Sequence, residues 1–149
     1  VDTGNSEIDS ILNYKLQEMK NKNVHLKCSI TIPKDLKINV FDLNIILGNL
    51  LNNAIEAIEK AERKYFFINI YFEKNILFIH IENTYDGNII KEKETLMTTK
   101  EEKQLHGLGL KSVSSILEKY DGDIIYDYND IYFITDVMLC NTSFHHETE

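Results

Sequence analysis

The stretch from Asp42 to Arg63, DLNIILGNLLNNAIEAIEKAER, decides how the rest of the chain is read. It is the most strongly apolar run in the sequence, and its Leu, Ile and Ala residues recur at helical spacing, which predicts a long helix packed on a core. Within it Asn49, Asn52, Asn53 and Glu56 stand at i, i+3, i+4 and i+7, one polar stripe on an apolar helix. Asn competes with a helix by bonding nearby backbone, and three in place of Ala cost about 1–2 kcal/mol of propensity. Two readings of the stripe are open here. It is a solvated face, or it is a row of neutral oxygens and amides lining a polar cavity. Asn carbonyls suit a hard cation such as Mg²⁺ that keeps most of its waters.

On the N-terminal side, Ile8, Ile11, Leu12, Leu16 and Met19 share one face and predict a helix from Ile8 to Lys22, capped by Asn5 or Ser6. Leu26, Cys28, Ile30 and Ile32 then alternate with polar residues as a strand that Pro33 ends. On the C-terminal side, Phe66–Glu73 and Ile76–Asn83 are two strands joined at Lys74-Asn75 as a hairpin. From Thr84 to His106 the period is lost; a patternless stretch of that length in a compact domain is functional or disordered. Leu108, Leu110, Val113, Ile116, Leu117 and Tyr120 resume helical spacing, and Asp121-Gly122 stops that helix. Two strands, Asp123–Tyr128 and Ile131–Leu139, turn at Asn129-Asp130, and residues 140–149 form a polar tail. The order is α-β-α-β-β-loop-α-β-β, with no repeat and no linker, so a single domain is expected over 1–149.

The chain has 149 residues, 43% hydrophobic and 27% charged, enough to bury a core without a metal or disulfide. Cys28 and Cys140 form no metal spacing and no disulfide framework, which fits a reducing compartment. No apolar run is long enough to span a bilayer as a helix, and the N-terminus lacks a signal pattern. The net charge of −8 argues against nucleic acid as a partner. A small phosphate ligand held by local backbone remains compatible with it.

Two further features bear on such a ligand. His106-Gly107-Leu108-Gly109-Leu110 stands where the patternless stretch meets a helix. Glycines there let backbone approach a ligand, and the unpaired N–H groups of a helix start attract phosphate; a flexible loop end is the competing reading. Ile79-His80-Ile81-Glu82-Asn83 ends the hairpin strand. A polar side chain at that end can read a base by hydrogen bonding, or simply end a strand.

Together these residues resemble a family. Asn49-Leu50-Leu51-Asn52-Asn53-Ala54 resembles the N-box of the histidine-kinase catalytic and ATP-binding domain, in the GHKL superfamily with the Bergerat fold. Gly107-Leu108-Gly109-Leu110 resembles its second glycine box. The element order is similar from about Thr3 to Leu139. The resemblance implies an α+β fold, a Bergerat-type α/β sandwich. Its mixed, mostly antiparallel sheet is packed on one side by about three helices, with an ATP lid over about 84–106. Three stretches resemble the peptide-pheromone (quorum-sensing) sensor kinases in particular. They are Thr3-Gly4-Asn5 followed by Ile8-Asp9-Ser10-Ile11-Leu12-Asn13, then Asn53-Ala54-Ile55-Glu56-Ala57, and Thr98-Thr99-Lys100.

By position, the resemblance implies ATP and Mg²⁺ as ligands. Asn53 is then the metal ligand, Asn49 faces the phosphates one turn earlier, and both are the catalytic positions, with Asn52 beside them in the box. Asn83 stands where the family has the Asp that binds the adenine amine. Gly107 and Gly109, with the N–H groups of Leu108 and Leu110, line the triphosphate, and His106 borders them. The first glycine box, usually Asp-x-Gly-x-Gly, here reads Asn83-Thr84-Tyr85-Asp86-Gly87. Asn83 still accepts a hydrogen bond from the amine, less strongly than an anion, and Tyr85 is placed to stack on or crowd the base. Glu56 stands where many members have a Lys, which leaves Lys100 or Lys111 to replace that charge.

ATP-hydrolysing relatives carry a Glu four residues before the Mg²⁺ Asn; this chain has Asn49 there. An amide accepts no proton near neutral pH, whereas phosphoryl transfer is mostly positioning and charge stabilisation. The expectation is a kinase that presents ATP to a partner histidine and neither hydrolyses ATP efficiently nor phosphorylates itself alone. His25, His80, His145 and His146 lack the context of the family's acceptor helix. The resemblance therefore implies an upstream dimerisation and phosphoacceptor domain, a response regulator as partner, and no nucleic acid. It implies a cytoplasmic piece of a membrane-bound bacterial sensor, monomeric and without membrane contact of its own. Asn83 and Tyr85 motivate an alternative, a degenerate nucleotide-sensing or protein-docking module without transfer activity. A cytosolic anti-sigma-factor serine kinase shares the fold and needs no upstream histidine helix.

Overall fold

The computed structural model describes residues 1–88 and 106–142, with backbone alone for 106–111. Thr98-Thr99, Lys100, His145 and His146 lie outside the described residues, as does most of the expected lid. The elements are α1 (Ser6–Asn21), β1 (His25–Ile30), α2 (Val40–Glu59), β2 (Tyr65–Glu73), β3 (Ile76–Thr84), α3 (His106–Lys119), β4 (Asp123–Tyr128) and β5 (Tyr132–Cys140). They form one sheet in the order β1-β2-β3-β5-β4. β1 pairs parallel with β2, and the other three pairings are antiparallel. The expected mixed, mostly antiparallel sheet with three helices is what the chain forms.

Strand alternation puts one row of each strand under the helices. Phe66, Ile68 and Ile70 of β2, Leu77, Ile79 and Ile81 of β3, and Val137 and Leu139 of β5 are buried in one cluster. The same cluster takes Leu12 and Leu16 from α1, Leu47, Leu51 and Ala54 from α2, and Val113, Ile116 and Leu117 from α3. This is the inner face of the sheet.

Element ends differ from expectation where side chains decide them. α1 is capped as expected by Asn5, whose Oδ1 accepts from the N–H groups of Glu7 and Ile8. α2 begins at Val40, two residues before Asp42, because Asn39 caps it through Phe41 N–H at 2.8 Å. It ends at Glu59 and not Arg63, where the Lys64 ammonium folds back on the carbonyls of Ile58, Glu59 and Ala61. β1 stops at Ile30, short of Ile32, after Ile30 pairs with Ile70. The hairpin turn holds Lys74 (φ 53) and Asn75 (φ 64), both left-handed, as the primed turns of tight hairpins require.

The outer face carries His80 at its centre. Its Nδ1 lies 2.6 Å from Asp136 Oδ1, and its Nε2 lies 2.7 Å from Glu82 Oε2. Burial alone would lower the imidazole pKa, but the two carboxylate contacts outweigh it and raise it above the usual 6.5. A group whose folded pKa is raised stabilises the fold fully below its unfolded pKa and loses that contribution as pH rises through the folded value. Stability is therefore expected to fall as pH climbs from about 6 past the raised value, and His80→Gln to remove that slope. Urea unfolding of both proteins across this range checks it; identical slopes would refute it.

Candidate functional site

Helical arithmetic on α2 sorts the polar stripe. Asp42, Asn49 and Asn53 are separated by seven and four residues and share one line along the helix. Asp42 shows what that line faces. Its Oδ2 accepts the Tyr120 hydroxyl at 2.6 Å and the Lys119 ammonium at 2.9 Å, both at the C-terminal end of α3. Tyr120 is 1% exposed, and its hydroxyl also accepts the Asn39 N–H at 3.0 Å. Burial, then the Asp42 carboxylate, pushes the phenol up to about 12. Burial alone would raise the Asp42 carboxyl; the Tyr120 hydroxyl and the Lys119 ammonium bring it below its usual range.

α3 packs along α2 with its C-terminal end pinned to the start of α2, so the two run antiparallel. From Asp42 to Asn53 is roughly 16 Å of helix, and from Lys119 back to Gly109 roughly 15 Å. The first turn of α3, with Gly107, Leu108, Gly109 and Leu110, thus lies toward the middle of α2, where Asn49 and Asn53 stand.

Asn53 is half-buried, and no hydrogen bond of its amide is seen among the described residues. Asn49 donates its Nδ2 to the Ile45 carbonyl at 2.7 Å, and no partner of its Oδ1 is seen among the described residues. Asn52 is not with them. It is exposed, and its Oδ1 accepts the Lys15 ammonium at 2.6 Å, on the α1 side of α2. At about 100° per residue, Asn52 and Asn53 already face different neighbours. The expected stripe is corrected by one member: Asn49 and Asn53 stay on the α3 side with Glu56, exposed seven residues after Asn49, and Asn52 leaves it.

Asn83 ends the inner row of β3, 3% exposed, with Phe66 and Phe133 beside it on the flanking strands. Its Nδ2 donates to the Thr84 carbonyl at 3.0 Å, so the Oδ1 is the open group. Tyr85 is not placed to stack on a ligand. It is 5% exposed, edge-on to Phe133 at 5.8 Å and 72°, against Ala57, and its hydroxyl donates to the Asn129 carbonyl. It is part of the wall between α2 and β5. Gly87 has a conformational reason to be glycine: φ is +80, and a Cβ would come 2.9 Å from the Asp130 carbonyl oxygen. Thr84 and Tyr85 also line a cleft of about 640 Å³ with Lys60, Arg63, Asp86 and Asp130, outside the Asn49–Asn53–Asn83 group. The side chains of His106 and Lys111 lie outside what is described.

Three residues on the inner face were not singled out from sequence. Thr135 is 7% exposed in the β5 row between Phe133 and Val137. Tyr126 and Tyr128 of β4 lie beside Thr135 and Phe133 and are 38% and 48% exposed. The Tyr128 ring lies 6.3 Å from Phe133 at an interplanar angle of 11°. The β5 alternation, traced residue by residue, places Thr135 among apolar neighbours and is the signal that finds it.

Among the described residues no group of three His, Cys, Asp or Glu could hold a metal, so the candidate cation ligands are amide oxygens. Neutral oxygens suit a hard divalent ion. The start of α3 suits phosphate, and the Asn83 Oδ1 suits an amine donor.

A family model described as a GHKL domain matches residues 38–140. No curated protein sequence matches. Among solved structures, a nucleotide-free form of the catalytic domain of histidine kinase ThkA superposes with a TM-score of 0.69. It is 19% identical, over 93% of this chain and 92% of that one. The mycobacterial sensor histidine kinase MprB gives 0.58 at 14% identity, over 91% and 96%. The Acinetobacter baumannii histidine kinase AdeS gives 0.64 at 16%, over 91% and 64%. Identities this low establish the shared fold.

Proposed function

This chain belongs to the GHKL domain family, and from that membership we propose that it binds Mg²⁺-ATP and donates the γ-phosphoryl group to a histidine on a separate, upstream dimerisation domain. The observation that carries this reading is the convergence of unspent polar groups. Asn49 and Asn53 stand on the line of α2 that Asp42 shows to meet α3, and the antiparallel run of α3 brings its start toward them. The Asn83 Oδ1 accepts no bond among the described residues, which supports one shared ligand.

In this reading Asn83 accepts the adenine amine, and the guanine carbonyl, an acceptor, is repelled there. The α3 backbone N–H groups hold the phosphates. Asn53 is the residue that would hold Mg²⁺; its amide has the right donor atom and no competing bond among the described residues. When bound, the ion screens phosphate charge. Asn49, an amide where a water-activating carboxylate would serve hydrolysis, favours transfer to a partner over release to water.

The kinase is proposed to be the cytoplasmic part of a bacterial two-component sensor, signalling to a response regulator. The Thr3-Gly4-Asn5 opening supports the peptide quorum-sensing branch. It folds as the cap of α1, with Thr3 bonding Asp9 Oδ1 through both N–H and Oγ1 at 2.8 Å. The test joins the chain to its native upstream segment, supplies labelled Mg²⁺-ATP, and measures acid-labile phosphohistidine. Label on histidine is expected. ATP binding with no label would point to the nucleotide-sensing alternative, which the Asn83 and Tyr85 replacements motivate.

A further inference from the structure

Apolar contact has no direction. Val113, Ile116 and Leu117 of α3 share one buried cluster with Ile46, Leu47 and Leu50 of α2. That packing holds the helices together but leaves open how far one stands along the other, and packed helices do slide past each other in small steps. The bonds with direction lie at one end. Asp42 Oδ2 accepts the Tyr120 hydroxyl at 2.6 Å and the Lys119 ammonium at 2.9 Å, and the Tyr120 hydroxyl accepts the Asn39 N–H at 3.0 Å. Tyr120 is also tied from behind. Its N–H donates to the Ile116 carbonyl and its own carbonyl accepts the Cys140 N–H of β5, both at 3.1 Å. Burial, then the Asp42 carboxylate, keeps the phenol protonated with a pKa of about 12, and Asp42 stays ionised, its pKa below the usual range despite burial. The bridge is a buried donor on a charged acceptor, the stronger kind of hydrogen bond.

Such a bond fails when its atoms part by about 1 Å, less than the rise of about 1.5 Å per helical residue. The bridge therefore admits one register of α3 on α2. A helix moves as a rod, so the register set at Tyr120 is carried to the first turn of α3, toward Asn49 and Asn53. Asn83 takes its place from β3, outside this linkage. We propose that Tyr120 and Asp42 are positioning residues for the phosphate end of the nucleotide site: their bridge sets the register of the α3 N–H groups against the α2 amides, and the base end does not depend on it. This rests on the nucleotide-binding reading above.

The test titrates the isotope-labelled chain with Mg²⁺-ATP and with adenosine at pH 6, read by nuclear magnetic resonance, alongside thermal melts. Tyr120→Phe keeps the ring and loses the bridge. Its ATP affinity is expected to fall about 10-fold, as displaced phosphate donors should cause, with adenosine within about 2-fold of wild type. Asp42→Ala is expected to behave alike, whereas Asp42→Asn keeps an acceptor oxygen and should hold ATP within about 3-fold. His80→Gln is the control, on the outer face of the sheet; it is expected to melt lower at pH 6 and keep the wild-type ratio of ATP to adenosine affinity. A merely structural role would make Tyr120→Phe behave as His80→Gln does. An unchanged ratio in Tyr120→Phe, an equal fall for both ligands, or no recovery in Asp42→Asn over Asp42→Ala would each overturn the proposal. Failure of the wild type to bind either ligand would overturn the nucleotide reading itself, and this proposal with it.

Discussion

Asn53→Ala is expected to lower Mg²⁺-dependent ATP affinity by about 100-fold or more, since removing even an outer partner of a metal site costs 10–100-fold. Its amide makes no hydrogen bond among the described residues, so the fold loses nothing when it is removed. Ala is also the better helix former, and the free domain should melt at or slightly above the wild-type temperature. Asn52→Ala is the control. Asn52 is spent on Lys15 at the α1 side, and its loss is expected to leave ATP affinity within about 2-fold of wild type. Titration and melting of both variants separate a ligand from a helix residue. Equal effects of the two substitutions on binding would contradict the division of the stripe.

Gly122→Ala carries the largest expected cost to stability, about 3 kcal/mol or more, as overpacking against backbone. An added Cβ would lie 2.4 Å from the Met138 carbonyl oxygen, 3.0 Å from Leu139 Cδ2 and 3.3 Å from Leu117 Cδ2. The carbonyl belongs to β5 and cannot swing aside. The turn is also fixed from the helix side. Gly122 N–H donates to the Leu117 carbonyl at 2.7 Å, Asp121 N–H to Glu118 at 3.2 Å, and Asp121 takes the left-handed position at φ 51. A shift here moves Tyr120, which holds α3 to α2 through Asp42 and Asn39. Nucleotide affinity should therefore fall together with the unfolding midpoint in urea. Gly48→Ala supplies the contrast, because its Cβ would meet only Ile11 Cδ1 at an ordinary 3.7 Å. A Gly122→Ala midpoint equal to that of Gly48→Ala would refute the argument.

The order of elements was legible because each carries its own period, from the Ile8–Met19 stripe to the alternation of β3. The Asn5 cap was legible for the same local reason. Ends set by remote or returning side chains were not. Lys64 closes α2 from beyond it, and nothing in helix periodicity announces that. The parallel pairing of β1 with β2 depends on contacts across α2, which periodicity does not encode.

Site residues followed the same division. The Asn49 and Asn53 pair was readable as a helical stripe, but a stripe with members at i, i+3 and i+4 spreads over about 100°. Two neighbouring helices divide that arc, and Asn52 goes to α1. Tyr85 was placed by its frame in a motif, whereas burial against Ala57 and Phe133 and the Asn129 carbonyl decide where its ring lies. Thr135 was hidden because threonine is at home in any strand. Only its neighbours on the inner face make it unusual.

The most direct check is calorimetric titration of the whole 149-residue chain with ATP, in the presence and absence of Mg²⁺. Saturable binding that needs Mg²⁺ is the expected result. No binding at millimolar ATP, or binding indifferent to Mg²⁺, would contradict a nucleotide site built around Asn53.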